Sequence, residues 1–186
     1  HLEVVEFFTA DGISIPLSEL PSHGKIKGLL DLAIGKNTQS MFDAEGRVVG
    51  GNATDQALVK YLGADILKKL DATYTVTQSQ SFNSANKFSQ AQLRELDKTF
   101  YKGAPEKFLA VSGKYLSGDI HVIDAKQLSA KIDELAGRSM RVLAFGYSDK
   151  EMTQDQINSD TTVIGFFGIR DDVRPEAREA IAEVQS

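Results

Sequence analysis

The segment Thr162–Ile169 reads Thr-Val-Ile-Gly-Phe-Phe-Gly-Ile and gives the strongest strand signal in this chain. Apart from two glycines it contains only β-branched and aromatic residues, which fit a buried, pleated strand. Met140–Phe145, Met-Arg-Val-Leu-Ala-Phe, gives a second strong signal. Near the start, Leu2–Phe8 has a similar composition, Asp11-Gly12 forms a turn pair and Ile13–Leu17 returns, which predicts a β-hairpin. A β-sheet is therefore the centre of the predicted fold.

Helix signals separate these strands at irregular intervals. We predict helices over Ser22–Ala33, from the N-cap Asn52 to Gly63, from Pro105 to Gly113, from the N-cap Asp124 to Gly137, and from Pro175 through Val184. Shorter strands are predicted at Arg47–Val49, Thr73–Thr77, Thr99–Tyr101 and His121–Ile123, and the segment through Phe82 and Phe88 is expected to extend the sheet. Because this order lacks regular βαβ spacing, we predict an α+β fold, a mainly antiparallel β-sheet flanked by helices.

Composition narrows the class of protein. The chain has 186 residues, 41% of them hydrophobic and 25% charged, which is typical of one globular domain and excludes collagenous, coiled-coil and wholly disordered chains. The absence of Cys excludes disulfides, thiolate zinc sites and a cysteine nucleophile. A formal net charge of −5 argues against a broad nucleic-acid-binding surface, but it leaves room for a small basic pocket.

Two candidate sites of other kinds are not supported. Gly28 and the Gly35-Lys36 pair are too far apart for a phosphate-binding loop, and Asn37 lacks the hydroxyl that would hold magnesium. The three histidines, at positions 1, 23 and 121, have no partner at ligand spacing. We therefore predict neither a metal site nor a phosphate-binding loop of this type in the chain.

The run Lys102-Gly103-Ala104-Pro105-Glu106 places an ammonium group before a glycine and a helix that starts with proline. The glycine would let a ligand approach the backbone, and a helix N-terminus favours negative charge. The alternative is an ordinary strand-to-helix turn with a solvated lysine, which spacing alone favours.

A second run, Phe82-Asn83-Ser84-Ala85-Asn86-Lys87, places a lysine five residues after an aromatic ring. This pair could stack on a base and hold its phosphates, because every base has a π-face. The alternative is a core phenylalanine beside a surface lysine, which is the commoner arrangement.

Taken in order, five segments resemble the motifs of type II P-type ATPases, the cation pumps that include calcium transporters. Lys102–Glu106 matches their K-G-A-P-E motif letter for letter. The others are Gly51–Leu58 (GNATDQAL), Phe82–Lys87 (FNSANK), Arg141–Ala144 (RVLA) and Asp171–Glu176 (DDVRPE). The chain thus resembles the nucleotide-binding domain of a calcium-pump-like P-type ATPase. The resemblance covers nearly the whole chain and agrees with the predicted α+β fold.

The resemblance implies roles at the adenine end of a nucleotide site. Phe82 would stack on adenine, a contact worth roughly 1–3 kcal/mol. Asp55 would accept a hydrogen bond from the adenine amino group, and Thr54 would support that corner or cap the helix. Leu143 would supply an apolar wall.

At the inner pocket and the phosphate end, the resemblance implies a further set of residues. Lys102 would line the inner pocket, with Gly103 and Ala104 allowing close approach of the ligand. Lys87 and Arg141 would bring positive charge to the phosphates, where a guanidinium fork suits phosphate oxygens.

The resemblance also implies that this chain belongs to a larger membrane pump. The family's phosphorylated aspartate lies in a D-K-T-G-T-L-T sequence that does not occur here, so the chain alone is not expected to be active. Residues 1–170 would bind ATP with magnesium, and residues 171–186, with Asp171 and Arg174, would form the hinge to the phosphorylation domain. The expected partners are that domain and the actuator domain, on the cytosolic side of a membrane, with calcium as the expected cargo.

Four positions depart from the family pattern. Some calcium pumps carry basic residues where Ser84 and Asn86 stand, Asp55 replaces a common Glu, and Asp172 replaces a usual Pro. The reduced positive charge leaves an alternative open, a non-catalytic interaction module that has lost nucleotide binding.

Overall fold

The computed structural model describes residues 1–117 and 119–171. Its strands are β1 (Leu2–Phe8), β2 (Ser14–Ile15), β3 (Met41–Phe42), β4 (Val48–Val49), β5 (Val76–Gln80), β6 (Phe88–Leu93), β7 (Lys98–Gly103), β8 (Lys114–Ser117), β9 (Asp119–Val122), β10 (Arg141–Ser148) and β11 (Thr162–Asp171). Its α-helices are α1 (Gly24–Gly35), α2 (Ala53–Leu62), α3 (Ala64–Thr73), α4 (Pro105–Leu109) and α5 (Ala125–Gly137), and a short 3-10 turn covers Leu20–Ser22.

One large sheet organises the described residues. Its strands follow the order β2-β1-β11-β10-β7-β6-β5, and every neighbouring pair along this path is antiparallel. The hairpin β8–β9 joins this sheet through a short parallel pairing of β8 with β11. Two short strands, β3 and β4, form a separate ribbon. The predicted α+β fold with a mainly antiparallel sheet is therefore confirmed.

Helices cover both faces of the sheet, and the strongest strand segment explains why. Phe166 and Phe167 are adjacent in β11, so their side chains point to opposite faces, and both are fully buried. Phe167 packs with Phe7 on the face covered by α1, α2 and α3. Phe166 stacks on Phe8 on the face covered by α4 and α5. A strand that is buried on both faces has a nearly continuous apolar sequence, and β11 has such a sequence.

The start of α2 follows the predicted capping chemistry. The Asn52 side-chain oxygen accepts a hydrogen bond from the backbone N–H of Asp55 at 2.8 Å, so it satisfies a donor that the first helical turn leaves free. The helix ends at Leu62 with Gly63 as its C-cap, as the sequence predicts. The cap also fixes the first turn of α2, which carries Asp55 and Thr54 toward the sheet edge.

Several local predictions are wrong. The strand predicted from Thr73 begins only at Val76, because α3 occupies the residues up to Thr73 and buries Leu67 and Leu70 against the core. The helix expected to reach Gly113 ends at Leu109, and the next strand, β8, was not predicted.

Phe82 lies outside the sheet, in the connection between β5 and β6. The helix predicted from Pro175 lies outside the described residues. Within residues 1–117 and 119–171, no helix is both long and apolar enough to cross a membrane.

Candidate functional site

A cavity of about 350 Å³ lies where the end of α1 and the start of α2 meet the edge of the sheet formed by β5, β6 and β7. Pockets that hold small ligands commonly measure 300–1,000 Å³, so its size suits a compact group such as a base. The lining residues on which its chemistry depends are Asn37, Gln39, Asp55, Phe82, Ser89 and Lys102.

A buried ion pair forms the floor of this cavity. Lys102 on β7 is 5% exposed and Asp55 on α2 is 9% exposed. The Lys102 Nζ donates to Asp55 Oδ1 at 2.6 Å, and it also donates to the backbone carbonyl of Asn37. Burial lowers the pKa of the Lys102 ammonium, and the charge of Asp55 opposes that shift. The sequence predicted a lysine in an inner pocket but did not predict this pairing.

Asn37 holds the carbonyl end of this arrangement in place. Its buried side-chain amide donates to the backbone oxygens of Ala33 at 3.1 Å and Phe100 at 3.0 Å. These bonds tie the end of α1 to β7, two residues before Lys102. The floor is therefore set by contacts between α1, α2 and β7.

Phe82 supplies an aromatic ring to the same cavity. Its side chain is 51% exposed although it is a large aromatic residue, and it lines the same cavity as Lys102. An exposed ring over a pocket is a surface on which a planar group can stack. The structure thus brings Phe82 and Lys102 to one cavity, and their roles in nucleotide binding stay predictions.

The loop that follows Phe82 is closed by local hydrogen bonds. Asn83 accepts from the backbone N–H of Asn86 through its side chain, at 2.7 Å, and from the N–H of Lys87 through its carbonyl, at 2.8 Å. Lys87 adopts a left-handed backbone conformation with φ of 59°, and its side chain is exposed.

Gly103 has a structural role that the sequence interpretation missed. A Cβ at this position would lie 2.5 Å from both the carbonyl oxygen of Lys87 and the Cβ of Phe88. The next residue, Ala104, donates its backbone N–H to that same Lys87 oxygen at 2.9 Å. A glycine here lets β7 close against the loop that carries Lys87, whereas the sequence interpretation assigned it to the approach of a ligand.

A carboxylate from a distant part of the chain also supports the loop. Asp155 accepts hydrogen bonds from the side-chain amides of Gln80 at 2.6 Å and Asn86 at 2.7 Å. Its backbone N–H donates to Gln80 Oε1 at 2.9 Å. These hydrogen bonds lower the pKa of Asp155. Asn86 stands where some calcium pumps carry a basic residue. Here its side chain helps to hold the loop in place.

The remaining predicted residues lie around the cavity and do not line its walls. Arg141 and Leu143 are on the same face of β10 as Phe145, whose backbone partner across the sheet is Lys102. Arg141 is exposed and lies four residues before Phe145, or about 13 Å along an extended strand. Thr54 is half-buried beside Asp55. Arg141 thus lies on the Lys102 face of the sheet and outside the cavity lining, and its phosphate-side role stays a prediction.

The hinge prediction is only partly covered by the structure. Asp171 ends β11, and its Oδ1 lies 2.8 Å from the amino group of His1 in an exposed ion pair. Arg174 lies outside the described residues. The division into residues 1–170 and 171–186 stays a prediction.

The sequence analysis missed Asn37, Gln39 and Ser89 as parts of the site. Asn37 and Gln39 belong to a connection with no motif of its own. Ser89 pairs with Lys102 in the β6–β7 register, so it shares the face and the cavity of Lys102. Only the strand register could have revealed that position, and the register is not evident from composition.

Most of this chain is similar in sequence to known proteins. A sequence model of the family described as P-type ATPase, cytoplasmic domain N, matches residues 28–176. Calcium-transporting ATPase 10, plasma membrane-type, of Oryza sativa subsp. japonica is 32% identical over 91% of this chain. Calcium-transporting ATPase 7, plasma membrane-type, of the same organism is 28% identical over 97% of the chain. A calcium-transporting ATPase of Bacillus subtilis (strain 168) is 28% identical over 73% of it.

The chain spans about a fifth of the length of these relatives. The matched parts amount to 18%, 19% and 17% of the three proteins in the order given above. The match therefore concerns one domain of proteins that are several times longer.

Proposed function

Because this chain belongs to the family of P-type ATPase cytoplasmic N domains, we propose that it binds ATP in the cavity between Phe82 and Lys102. The observation that carries the proposal is a half-exposed aromatic ring over a cavity with a buried ammonium group in its floor. Adenine offers a flat π-face to the ring and polar edge atoms to the floor. The volume of about 350 Å³ suits the base and leaves the phosphates outside.

The phosphates would extend from the cavity toward two exposed cations. Lys87 follows the loop of Phe82, and Arg141 lies on the Lys102 face of the sheet. An ammonium group and a guanidinium fork both favour phosphate oxygens, and each remains free to move because it is exposed. Thr54, Gly103, Ala104 and Leu143 would act indirectly, by shaping the walls that hold Asp55, Lys102 and Phe82.

In the longer protein, the domain would present the γ-phosphate of ATP to an aspartate of a neighbouring phosphorylation domain. The contribution of this chain is to hold the nucleotide in position, which is most of what phosphoryl transfer requires of a protein. Magnesium would accompany the phosphates. In the described ranges, no group of three or more His, Cys, Asp or Glu side chains could hold a metal ion.

The names of the relatives extend the proposal to transport. They are calcium-transporting ATPases, so we propose a calcium pump in which closure of this domain on its neighbours couples ATP binding to ion movement. The domain would work on the cytosolic side of the membrane, as the family description indicates. The actuator and phosphorylation domains of the same pump would be its partners.

Titration with ATP, followed by NMR amide shifts of this chain, tests the proposal. We expect saturable shifts around Phe82, Lys87 and Lys102, with a dissociation constant on the order of 0.1 mM to several mM, or roughly 3–5.5 kcal/mol. One stacked base and a few exposed charges give no tighter binding. The absence of shifts at several millimolar ATP would contradict it and would favour the alternative, an interaction module that has lost nucleotide binding.

A further inference from the structure

Ser89 has a buried hydroxyl that the protein leaves without a partner. The residue lies near the start of β6, is 5% exposed and lines the cavity that holds Phe82 and Lys102. Within the described part of the chain, its Oγ has no hydrogen-bond partner. A buried hydroxyl without a partner costs folding free energy. We therefore expect a polar group of a bound ligand to be its partner.

The strand register shows that this hydroxyl points to the ligand side. Ser89 is opposite Lys102 in the β6–β7 pairing, so both side chains are on the same face of the sheet. The next residue, Gln90, pairs with Tyr101, and its side chain therefore points to the other face, where its amide donates to Gln80 and to the Thr153 carbonyl.

The other polar groups of the floor already have partners. Asp55 Oδ1 accepts from Lys102, and Asp55 Oδ2 lies 3.4 Å from the backbone N–H of Gln39. The Asn37 carbonyl accepts from Lys102 as well. On the outer wall, the Gln39 side chain donates to Ser81 Oγ at 3.3 Å. Gln90 Oε1 is also buried without a partner, but the strand register places that side chain on the other face of the sheet. Among the described residues on the Lys102 face, Ser89 Oγ is thus the buried acceptor of this cavity that the protein leaves free.

We propose that Ser89 Oγ accepts a hydrogen bond from the exocyclic amino group of adenine, which makes Ser89 a residue that determines base specificity. The inference rests on the proposed function, ATP binding in this cavity. A hydroxyl offers two acceptor lone pairs and one donor, and the amino group of adenine offers two N–H donors. A base without that amino group leaves the Ser89 hydroxyl buried and unpaired. A site that hydrogen-bonds a ligand group binds the analogue without that group more weakly, because its own polar group then lacks a partner.

The test compares ATP with purine riboside 5′-triphosphate, which lacks only the amino group. NMR titrations of the unmodified chain should show that ATP binds roughly threefold to tenfold more tightly, as expected of one neutral hydrogen bond. In Ser89→Ala, the two nucleotides should bind with equal affinity, because the substitution removes the acceptor that distinguishes them. The ratio of the two affinities would not respond to a general loosening of the fold.

Ser129→Ala is the matched control. Ser129 is exposed on α5, on the other face of the sheet and outside this cavity, so its removal should leave the preference for ATP unchanged. A preference that persists in Ser89→Ala, a lack of preference in the unmodified chain, or an equal loss of affinity for both nucleotides would overturn the inference. If ATP still binds in any of these cases, the proposed function stands. If neither nucleotide binds the unmodified chain, the proposed function fails together with the inference.

Discussion

The floor of the cavity and two cations outside its lining, Lys87 and Arg141, which we call the rim, carry the same sign of charge in opposite surroundings. Lys102 in the floor is almost fully buried, is paired with Asp55 and has its pKa lowered by burial. Lys87 and Arg141 at the rim are exposed. A buried pair is fixed in place by the fold, whereas an exposed cation is free to adjust to a ligand. The difference indicates that the floor is part of the folded core, and it supports our proposal that the rim cations contact the phosphates.

This division has an energetic consequence. Removing one partner of a buried ion pair leaves an uncompensated charge inside the protein, whereas surface substitutions usually change stability by less than about 0.5 kcal/mol. Changes in the floor should therefore alter the free energy of unfolding, and changes at the rim should alter ligand affinity alone.

The largest effect is expected from Lys102→Met. The substitution keeps the apolar stem but leaves Asp55 buried without its partner, so the free energy of unfolding should fall by about 3–5 kcal/mol. Urea denaturation of this chain measures the change. The double variant Lys102→Met with Asp55→Asn should recover part of the loss, because it removes both charges.

Lys87→Met is the matched control at the rim. It should change the free energy of unfolding by less than about 0.5 kcal/mol, because the side chain is exposed. If both lysine variants were equally stable, the description of Lys102 as part of the folded core would be wrong.

Gly103→Ala tests the closure of β7 against the loop that carries Lys87. The added Cβ would come within 2.5 Å of a backbone oxygen, so the strand must shift, at a cost of about 1–3 kcal/mol in stability. The midpoint of urea denaturation reports it. Gly28→Ala, within α1 and with no atom within 4 Å of the added carbon, should instead be neutral or stabilising. A Gly103→Ala variant as stable as the unmodified chain contradicts the steric account.

Phe82→Ala should affect binding and leave stability nearly unchanged. The ring is half exposed, so its loss costs little folding free energy, but it removes a stacking contact worth roughly 1–3 kcal/mol. The affinity for ATP should fall roughly fivefold to a hundredfold in an NMR titration. Normal ATP affinity in this variant would show that the base binds elsewhere.

The smallest effect is expected from Arg141→Ala. Exposed charges contribute little, so ATP binding should weaken roughly threefold to fivefold while adenosine binding stays unchanged. Arg94, an exposed arginine that follows the far end of β6, provides the control, because Arg94→Ala should affect neither ligand. Equal weakening of ATP and adenosine by Arg141→Ala would contradict its assignment to the phosphates.

Local signals in the sequence were sufficient for part of this fold. Asn52 and Gly63 mark the limits of α2 because capping and helix termination depend on neighbouring residues alone. The helix α3 was missed because it buries only Leu67 and Leu70, and because the Thr-Tyr-Thr-Val run that begins at its last residue, Thr73, is typical of a strand. Its stability comes from packing against the core, which a local pattern does not record.

The site shows a similar limit. Phe82, Asp55 and Lys102 were identified through a resemblance to known motifs, and the structure brings all three to one cavity. The Lys102–Asp55 pair and Ser89 could not be identified that way. The pair depends on how α2 packs against the sheet, and the position of Ser89 depends on which residue of β6 pairs with Lys102 in β7. Such contacts join residues that are distant in the sequence.

The most direct test of the account compares adenosine with ATP in NMR titrations of the unmodified chain. Adenosine should shift the amide signals of Phe82, Ser89 and Lys102 and leave those of Lys87 and Arg141 in place. ATP should shift both sets, because only ATP carries phosphates to the rim. Equal shifts of Lys87 and Arg141 by both ligands, or shifts by ATP that omit Phe82 and Lys102, would contradict the division of the site into a floor for the base and a rim for the phosphates.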